Sequence, residues 1–239
     1  MSDYPDHADD PRPRVPDWTR RDACRARGME GRHVALAPFD ATAHAEGLWS
    51  AFGGETLNAR IRWFGWPWLD NAAALAGRIE RHALEGWSTA VMLLDDAPAG
   101  MASYMREDAE NGAVEIGAIA HAEAIARTPA ATEAHAMLMR HAFELGYRRY
   151  EWKCDAANLA SKRAAARLGF THEGTFRQHQ IKHGRNRDTA WFSILDGEWP
   201  RVSAALTAWL DPRNFGPDGR QRRPLEALRD EERTDDGRT

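Results

Sequence analysis

The stretch AVEIGAIAHAEAIARTPAATEAHAMLMRHAFELGYRRYEWKCDAANLASKRAAARLGF, residues 113–170, carries the reading on which the fold turns. AVEIGAIA (113–120) alternates as a strand, a short loop with Pro129 follows, and ATEAHAMLMRHAFELG (131–146) reads as a helix ending on Gly146. RRYEWKCD (148–155) is a second strand, and Asn158 starts the helix LASKRAAARLG, which Gly169 ends. Downstream, FTHEGTFRQHQIKHG and NRDTAWFSILD make a long hairpin (170–196). Upstream, Asn111-Gly112 is a tight turn, and STAVMLL with AGMASYMRE forms a hairpin around Asp95-Asp96. Further back, Arg32 to Phe39 alternates as a strand, and Asp40 caps a helix carrying Ala43, Leu48 and Phe52 inward. Residues 56–68 are dense in aromatics, as a loop or short helix, and Asp70 caps a helix with Leu75, Ile79, His82 and Ala83 on one face. Seven strands and four helices, interleaved, define an α/β (α+β) class with a mixed central sheet, and no internal repeat favours a solenoid.

With 239 residues, 43% hydrophobic and 28% charged, the chain suits one core with polar appendages. The Pro-, Asp- and Arg-rich residues 1–30 and the charge-balanced residues 211–239 read as a flexible leader and tail around a domain at 31–210. A formal net charge of −4 gives no footprint for nucleic acid. Only Lys153, Lys162 and Lys182 are lysines among the 32 basic residues, and arginine clusters such as Arg220, Arg222 and Arg223 read as solvated charge. Cys24 and Cys154 make neither a disulfide framework nor metal-ligand spacing, so no metal is expected and a reduced compartment fits. No window is apolar enough to cross a membrane and MSDYPDHADDPRPR lacks a secretory segment, so a soluble cytoplasmic protein is expected.

Two segments could carry chemistry. The strand, loop and helix at 114–134 offer backbone N–H groups at a helix N-terminus, where a phosphate is favoured. A structural connection would look the same, and neither GxxxxGK[ST] nor GxGxxG is present. Asn158 and Ser161 begin a helix after a strand, a pattern equally expected of a simple N-cap.

Taken in sequence order, EIG from Glu115, ATEA from Ala131 to Ala134, N-x-x-S at Asn158 and Ser161, and RLGF-x-x-EGT from Arg167 to Thr175 resemble the GCN5-related N-acetyltransferase (GNAT) superfamily. The resemblance covers roughly residues 31–200 and is closer to the RimJ/RimL-type branch, whose namesakes acetylate N-termini of ribosomal proteins. It implies a GNAT fold splayed between the fourth and fifth strands, 113–120 and 148–155, with acetyl-CoA in the gap. Pantetheine would pair with the backbone of Ala118 and Ile119, and the pyrophosphate would meet Arg127, Thr128, Ala130, Ala131 and Thr132. The family loop reads Q/R-x-x-G-x-G/A; this chain has Ala126 and Pro129 at two of those places, and Pro129 lacks an N–H to donate. Arg127 could supply compensating charge.

The implied reaction is attack of a neutral amine on the thioester, with an N–H near Ile119 facing the developing oxyanion. Ser161 matches the family serine that protonates the leaving thiolate, and Asn158 the asparagine that holds the pantetheine arm. For a general base the candidates are Glu115, equally readable as a structural ion pair, and His179, beside a water chain or no dedicated base. The acceptor would meet the aromatic run RWFGWPW, with Trp63, Trp66 and Trp68, readable also as core, and Arg177, readable also as a surface arginine. The acceptor is a primary amine, either a protein N-terminus or a small molecule such as an aminoacyl compound or amine antibiotic. Negative net charge disfavours a highly basic protein, and the aromatic run favours a flat acceptor. Succinyl-CoA as donor would leave the same motifs, and a non-catalytic acyl-CoA sensor of the same fold is the alternative. An exposed strand edge or a helix at 197–210 could support a homodimer.

Overall fold

A computed structural model of the chain describes residues 11–235. Its strands are β1 (Met29–Glu30), β2 (Ala35–Pro38), β3 (Ser88–Leu94), β4 (Ala97–Asp108), β5 (Ala113–His121), β6 (Arg149–Asp155), β7 (Thr171–Lys182) and β8 (Arg185–Leu195). The helices are α1 (Ala41–Ala51), α2 (Leu57–Ile61), α3 (Ala72–Leu84), α4 (Pro129–Glu144), α5 (Leu159–Leu168), α6 (Trp199–Leu210) and α7 (Leu225–Asp235). One sheet runs β1-β2-β3-β4-β5-β6-β8-β7, and every neighbour is antiparallel except β5 and β6. The sheet gains an eighth strand because Met29 pairs with Leu36 at its edge, and a short helix sits in the aromatic segment.

Local chemistry accounts for most boundaries. Asp40 accepts from the Ala43 N–H and caps α1, but the residues α1 buries are Ala45 and Leu48, with Phe52 just beyond. The cap of α3 is Asn71 rather than Asp70, since Asn71 Oδ1 is the group that accepts from the Ala74 N–H at 2.8 Å. Leu75, Ile79 and His82 face inward while Ala83 is exposed.

Helices cover the two faces of the sheet unequally. Tyr104 on β4 donates its hydroxyl to the Leu138 carbonyl of α4, and Met101 and Ser103, which alternate with it, are buried as well. The β3–β4 region is therefore covered twice, by α4 on one face and by the packed pair α1 and α3 on the other. Along β6 the pattern changes: Tyr150, Trp152 and Cys154 are buried, while Arg149, Glu151, Lys153 and Asp155 are half-buried. This half of the sheet is apolar beneath the helices and charged on its open face.

Two irregularities create a gap in the sheet. β5 and β6 pair only from Ala113↔Arg149 to Ile116↔Trp152, then separate. Opposite β4 the register jumps from Ser103↔Gly117 to Met101↔Ala120, so that Ala118 and Ile119 bulge out, with Ala118 at φ 48°. Gly117, at the start of this bulge, leaves room for the Met105 sulfur, which a Cβ there would displace.

The ends depart from the expected flexible leader and tail. In the leader, Trp18 donates to the Glu110 carbonyl, the Arg21 N–H to Ala109 O, and the Cys24 N–H to Glu107 Oε1 at 2.7 Å, with Cys24 fully buried. In the tail, Asp211 caps a 3₁₀ turn at Pro212–Asn214, and α7 buries Leu225 and Leu228 against α6 and α5. Composition hid this because few apolar residues, well spaced, suffice for a segment that docks on an existing core. Residues 1–10 and 236–239, the outermost parts of the expected leader and tail, lie outside the described residues.

Candidate active site

A cavity of about 980 Å³ lies at the gap between β5 and β6 and is lined by residues from both faces of the sheet. On the helical side it meets the N-termini of α4 and α5. Thr128, at the α4 N-cap, makes no side-chain cap and instead donates its hydroxyl to Ile125 O, so the first-turn N–H groups have no side-chain partner. Pro129 occupies the first helical turn, where its missing N–H costs the helix nothing. Arg127, Arg163 and Arg167 line the same end, with Arg167 donating to Thr132 Oγ1 at 3.0 Å and lying over the Trp209 ring. Phosphate is the ligand such an end suits, because orphan N–H groups, a helix dipole and guanidinium groups converge there.

At α5, Asn158 Oδ1 accepts from the Ser161 N–H, and the Trp152 indole donates to Ser161 Oγ at 2.9 Å. With that oxygen already accepting from Trp152, its own proton remains to be donated. His121 and His135 stand edge to face nearby, 5.3 Å apart, with Nε2 of both buried and unpartnered. Burial lowers the His121 pKa to about 4, and burial with the adjoining His121 and Arg167 lowers that of His135 to about 3. Both rings are neutral near pH 7.

The open face carries a chain of alternating charges across the strands. Arg106 Nη1 lies 2.9 Å from Glu115 Oε1, and Lys153 Nζ lies 3.1 Å from Glu115 Oε2 and 2.7 Å from Glu151 Oε2. Arg149 continues it, from Glu151 Oε1 at 2.7 Å to Glu173 Oε1 at 2.8 Å. Glu115 is only 2% exposed; its Oε2 is buried 3.1 Å from the Lys153 ammonium and its Oε1 faces Arg106, so the carboxylate meets the cavity wall with a cation on each oxygen. Lys153 also sits over the Trp191 ring at 3.8 Å. Trp63 and Phe64 wall this side. Gly65, at φ 73°, lets their segment close on the β7–β8 hairpin, because a Cβ there would come within 2.7 Å of Lys182 Cδ.

Of the expected residues, the cavity wall brings together Glu115, Ala118, Ile119, Arg127, Thr128, Ala131, Thr132, Asn158, Ser161, Trp63 and Trp66. Trp66 is at the same time a core residue, packed against Phe64 and His82. Ala130 is buried beside the wall, and Trp68 lies 64% exposed and away from it. His179 and Arg177 fall in an irregular stretch of β7 opposite Asp188, off the wall; His179 Nδ1 shares a hydrogen with Thr189 Oγ1, and its ring meets Phe176 and Trp191. Sequence reasoning missed Arg106, Trp152, Lys153, Lys182 and Arg187. It also missed the His121–His135 pair, because their proximity arises only when a strand end and a helix are brought together.

Comparison with known proteins agrees with this architecture. Residues 33–171 match the model of the acetyltransferase (GNAT) domain family. A GCN5-related N-acetyltransferase from Brucella melitensis is 40% identical, over 90% of this chain and 100% of its own, with a TM-score of 0.85. A protein described as a probable acetyltransferase of the GNAT family from Chromobacterium violaceum ATCC 12472 is 34% identical, over 82% of this chain and 100% of its own, with a TM-score of 0.75. RimL, a ribosomal L7/L12 alpha-N-protein acetyltransferase, shares the fold at 21% identity and a TM-score of 0.61, over 71% of this chain and 94% of its own. No curated protein matches the chain. A parted pair of parallel strands, helix N-termini aimed into the gap and a family match over most of the core lead to one conclusion: the chain belongs to the GNAT acetyltransferases.

Proposed function

We propose that this acetyl-CoA-dependent N-acetyltransferase acts on a primary amine that enters from the open face of the sheet, and that it works in the cytoplasm. The observation that carries the reading is the cavity at the β5–β6 gap, lined from both faces of the sheet, which lets a donor on the helical side meet an acceptor on the charged and aromatic side. Bound acetyl-CoA would supply a thioester carbonyl for the amine to attack and a thiolate that departs.

The chain's own residues divide the remaining work. The first-turn N–H groups of α4 and Arg127 hold phosphate, while the bulged backbone at Ala118 and Ile119 lies along the gap, with the Ile119 N–H as donor to the carbonyl oxygen. Ser161, its oxygen already held by Trp152, gives its proton to the departing sulfur. Glu115, the carboxylate at the cavity wall between Arg106 and Lys153, accepts a hydrogen from the amine through a bound water. His179 takes no part in this reading, since it lies off the wall. RimL suggests a protein N-terminus as one acceptor class; the confined aromatic and cationic pocket favours a small molecule.

The test is calorimetric titration with acetyl-CoA, followed by thiol release over peptides, amino acids and other amines. Binding with amine-dependent release is expected. Binding without release over the whole panel would favour an acyl-CoA sensor.

A further inference from the structure

Resting on that acetyl-transfer reading, we propose that the acceptor amine carries an oxyanion, a carboxylate or a phosphate, received by Arg106, Lys182 and Arg187 on the open face of the sheet. Among the described residues, eight cationic and two anionic side chains line the cavity, in a protein whose formal net charge is −4. Arg127, Arg163 and Arg167 stand at the helical end, where the donor's phosphates would lie. The others need a different explanation.

Strand register places them on the opposite face. Lys153 pairs with Trp191 and Asp155 with Thr189, so these side chains share the open face; two residues before Thr189 is Arg187, opposite Gln180. Arg187 Nη1 donates to Gln180 Oε1 at 3.1 Å, but its Nε is buried with no partner. Lys182 has no ion-pair partner among the described salt bridges, and the Trp63–Trp66 segment closes down on its stem at Gly65. Arg106 shares the buried carboxylate of Glu115 with Lys153.

These cations repel one another. Burial lowers the Lys182 pKa first, and the neighbouring Arg187, Arg106 and Arg78 lower it further; burial also lowers that of Arg187, Asp155 in part restores it, Arg106 adds to the lowering, and Cys154 and Glu115 offset some of it. Like charges gathered from β4, β7 and β8 around a cavity where Lys182 and Arg187 are half-buried cost stability unless an anion joins them. Guanidinium groups bind carboxylate and phosphate with directed hydrogen bonds, and a low-dielectric wall strengthens the attraction. Beside them Trp63 and Phe64 offer apolar surface for the rest of the acceptor.

Matched amines decide the matter: an amino acid against its carboxamide, and an aminoalkyl phosphate against the corresponding amino alcohol. The anionic member of at least one pair should show a kcat/KM about tenfold or more above its neutral partner, and the two pairs separate carboxylate from phosphate. Lys182→Gln and Arg187→Gln should each remove about tenfold of that preference, while neutral amines and acetyl-CoA affinity change less than about twofold. Unchanged acetyl-CoA affinity also reports that the variants are folded. Equal use of neutral and anionic amines would overturn the proposal, as would variants that weaken acetyl-CoA while keeping the preference. If no amine releases thiol, the acetyl-transfer reading fails by itself, and titration of the same pairs into CoA-saturated protein replaces it. Anion-selective binding lost in Lys182→Gln would then support the site, and its absence would sink it.

Discussion

Ser161 was legible in the sequence as part of an N-x-x-S pattern, yet the acid role proposed for it rests on Trp152, nine residues earlier on the neighbouring strand. The indole fixes Oγ as an acceptor and so frees the hydroxyl proton. Ser161→Ala should slow amine-dependent thiol release by about tenfold or more with acetyl-CoA affinity nearly unchanged, and Trp152→Phe should produce a smaller loss of the same kind. A Ser161→Ala enzyme with normal turnover would remove the serine from the mechanism. His135 allows a prediction of a different type. Its folded pKa of about 3 lies below the ordinary value of 6.5, so as pH falls the unfolded chain gains a proton that the folded chain refuses. Stability from the neutral ring is fully present above about pH 6.5, declines as the pH drops, and levels off near the folded value. His121 adds to the same limb, as does His82, whose pKa burial and Arg78 lower to about 4. Thermal denaturation of His135→Asn between pH 7 and pH 4 should therefore show a shallower loss of Tm than the parent. Parallel curves would mean that His135 does not carry this dependence.

At the scale of elements, the sequence yielded strands and helices where a single period ran cleanly, and it failed where two elements had to be read together. β6 illustrates both. Tyr150, Trp152 and Cys154 alternate with Arg149, Glu151 and Lys153, so a strand with one apolar face was readable. That Glu115 lies opposite Glu151 and needs Lys153 between them follows only from the parallel register of β5 and β6. The β4–β5 bulge was equally hidden, since Ala118 has no residue signature for its left-handed backbone. Asn71 displaced Asp70 as the α3 cap because either residue can cap and only the geometry chooses. The charge chain supports a prediction at this scale. Lys153→Met would leave Glu115, 2% exposed, with only Arg106 for compensation and Glu151 with only Arg149. Removing one member of a buried ion network costs roughly 3–5 kcal/mol. Chemical denaturation should show a loss of that size, and adding Glu115→Gln should recover part of it. A loss below about 1 kcal/mol would identify the chain as a solvated surface feature.

For the whole molecule, the least legible feature is the C-terminal segment, because its charged composition resembles a solvated tail while its few apolar residues do structural work. Leu225 and Leu228 are buried, and Arg229 Nη1 donates to the carbonyls of Ala166 and Arg167 at 3.1 and 2.8 Å, closing the end of α5. Upstream of α7, Trp209 donates its indole hydrogen to Gln221 Oε1 at 2.7 Å and packs edge to face on Phe215. Trp209, Phe215, Gly219 and Gln221 all reach the cavity wall, and Trp209 carries the Arg167 guanidinium on its face. The segment thus supports Arg167 at the cavity wall indirectly, through Trp209, and holds the C-terminal end of the helix whose first turn presents Ser161. Deleting residues 211–239 should lower Tm by several degrees, since burial of two leucines and the cap on α5 are lost together. It should also weaken acetyl-CoA binding by about tenfold, because Trp209, deprived of Gln221 and Phe215, no longer holds the Arg167 guanidinium in place. Calorimetry on a truncated chain that keeps a cooperative melt separates the two effects. Unchanged affinity in a truncated, cooperatively folded protein would show that α5 and α6 hold the donor site without help from the segment that follows them.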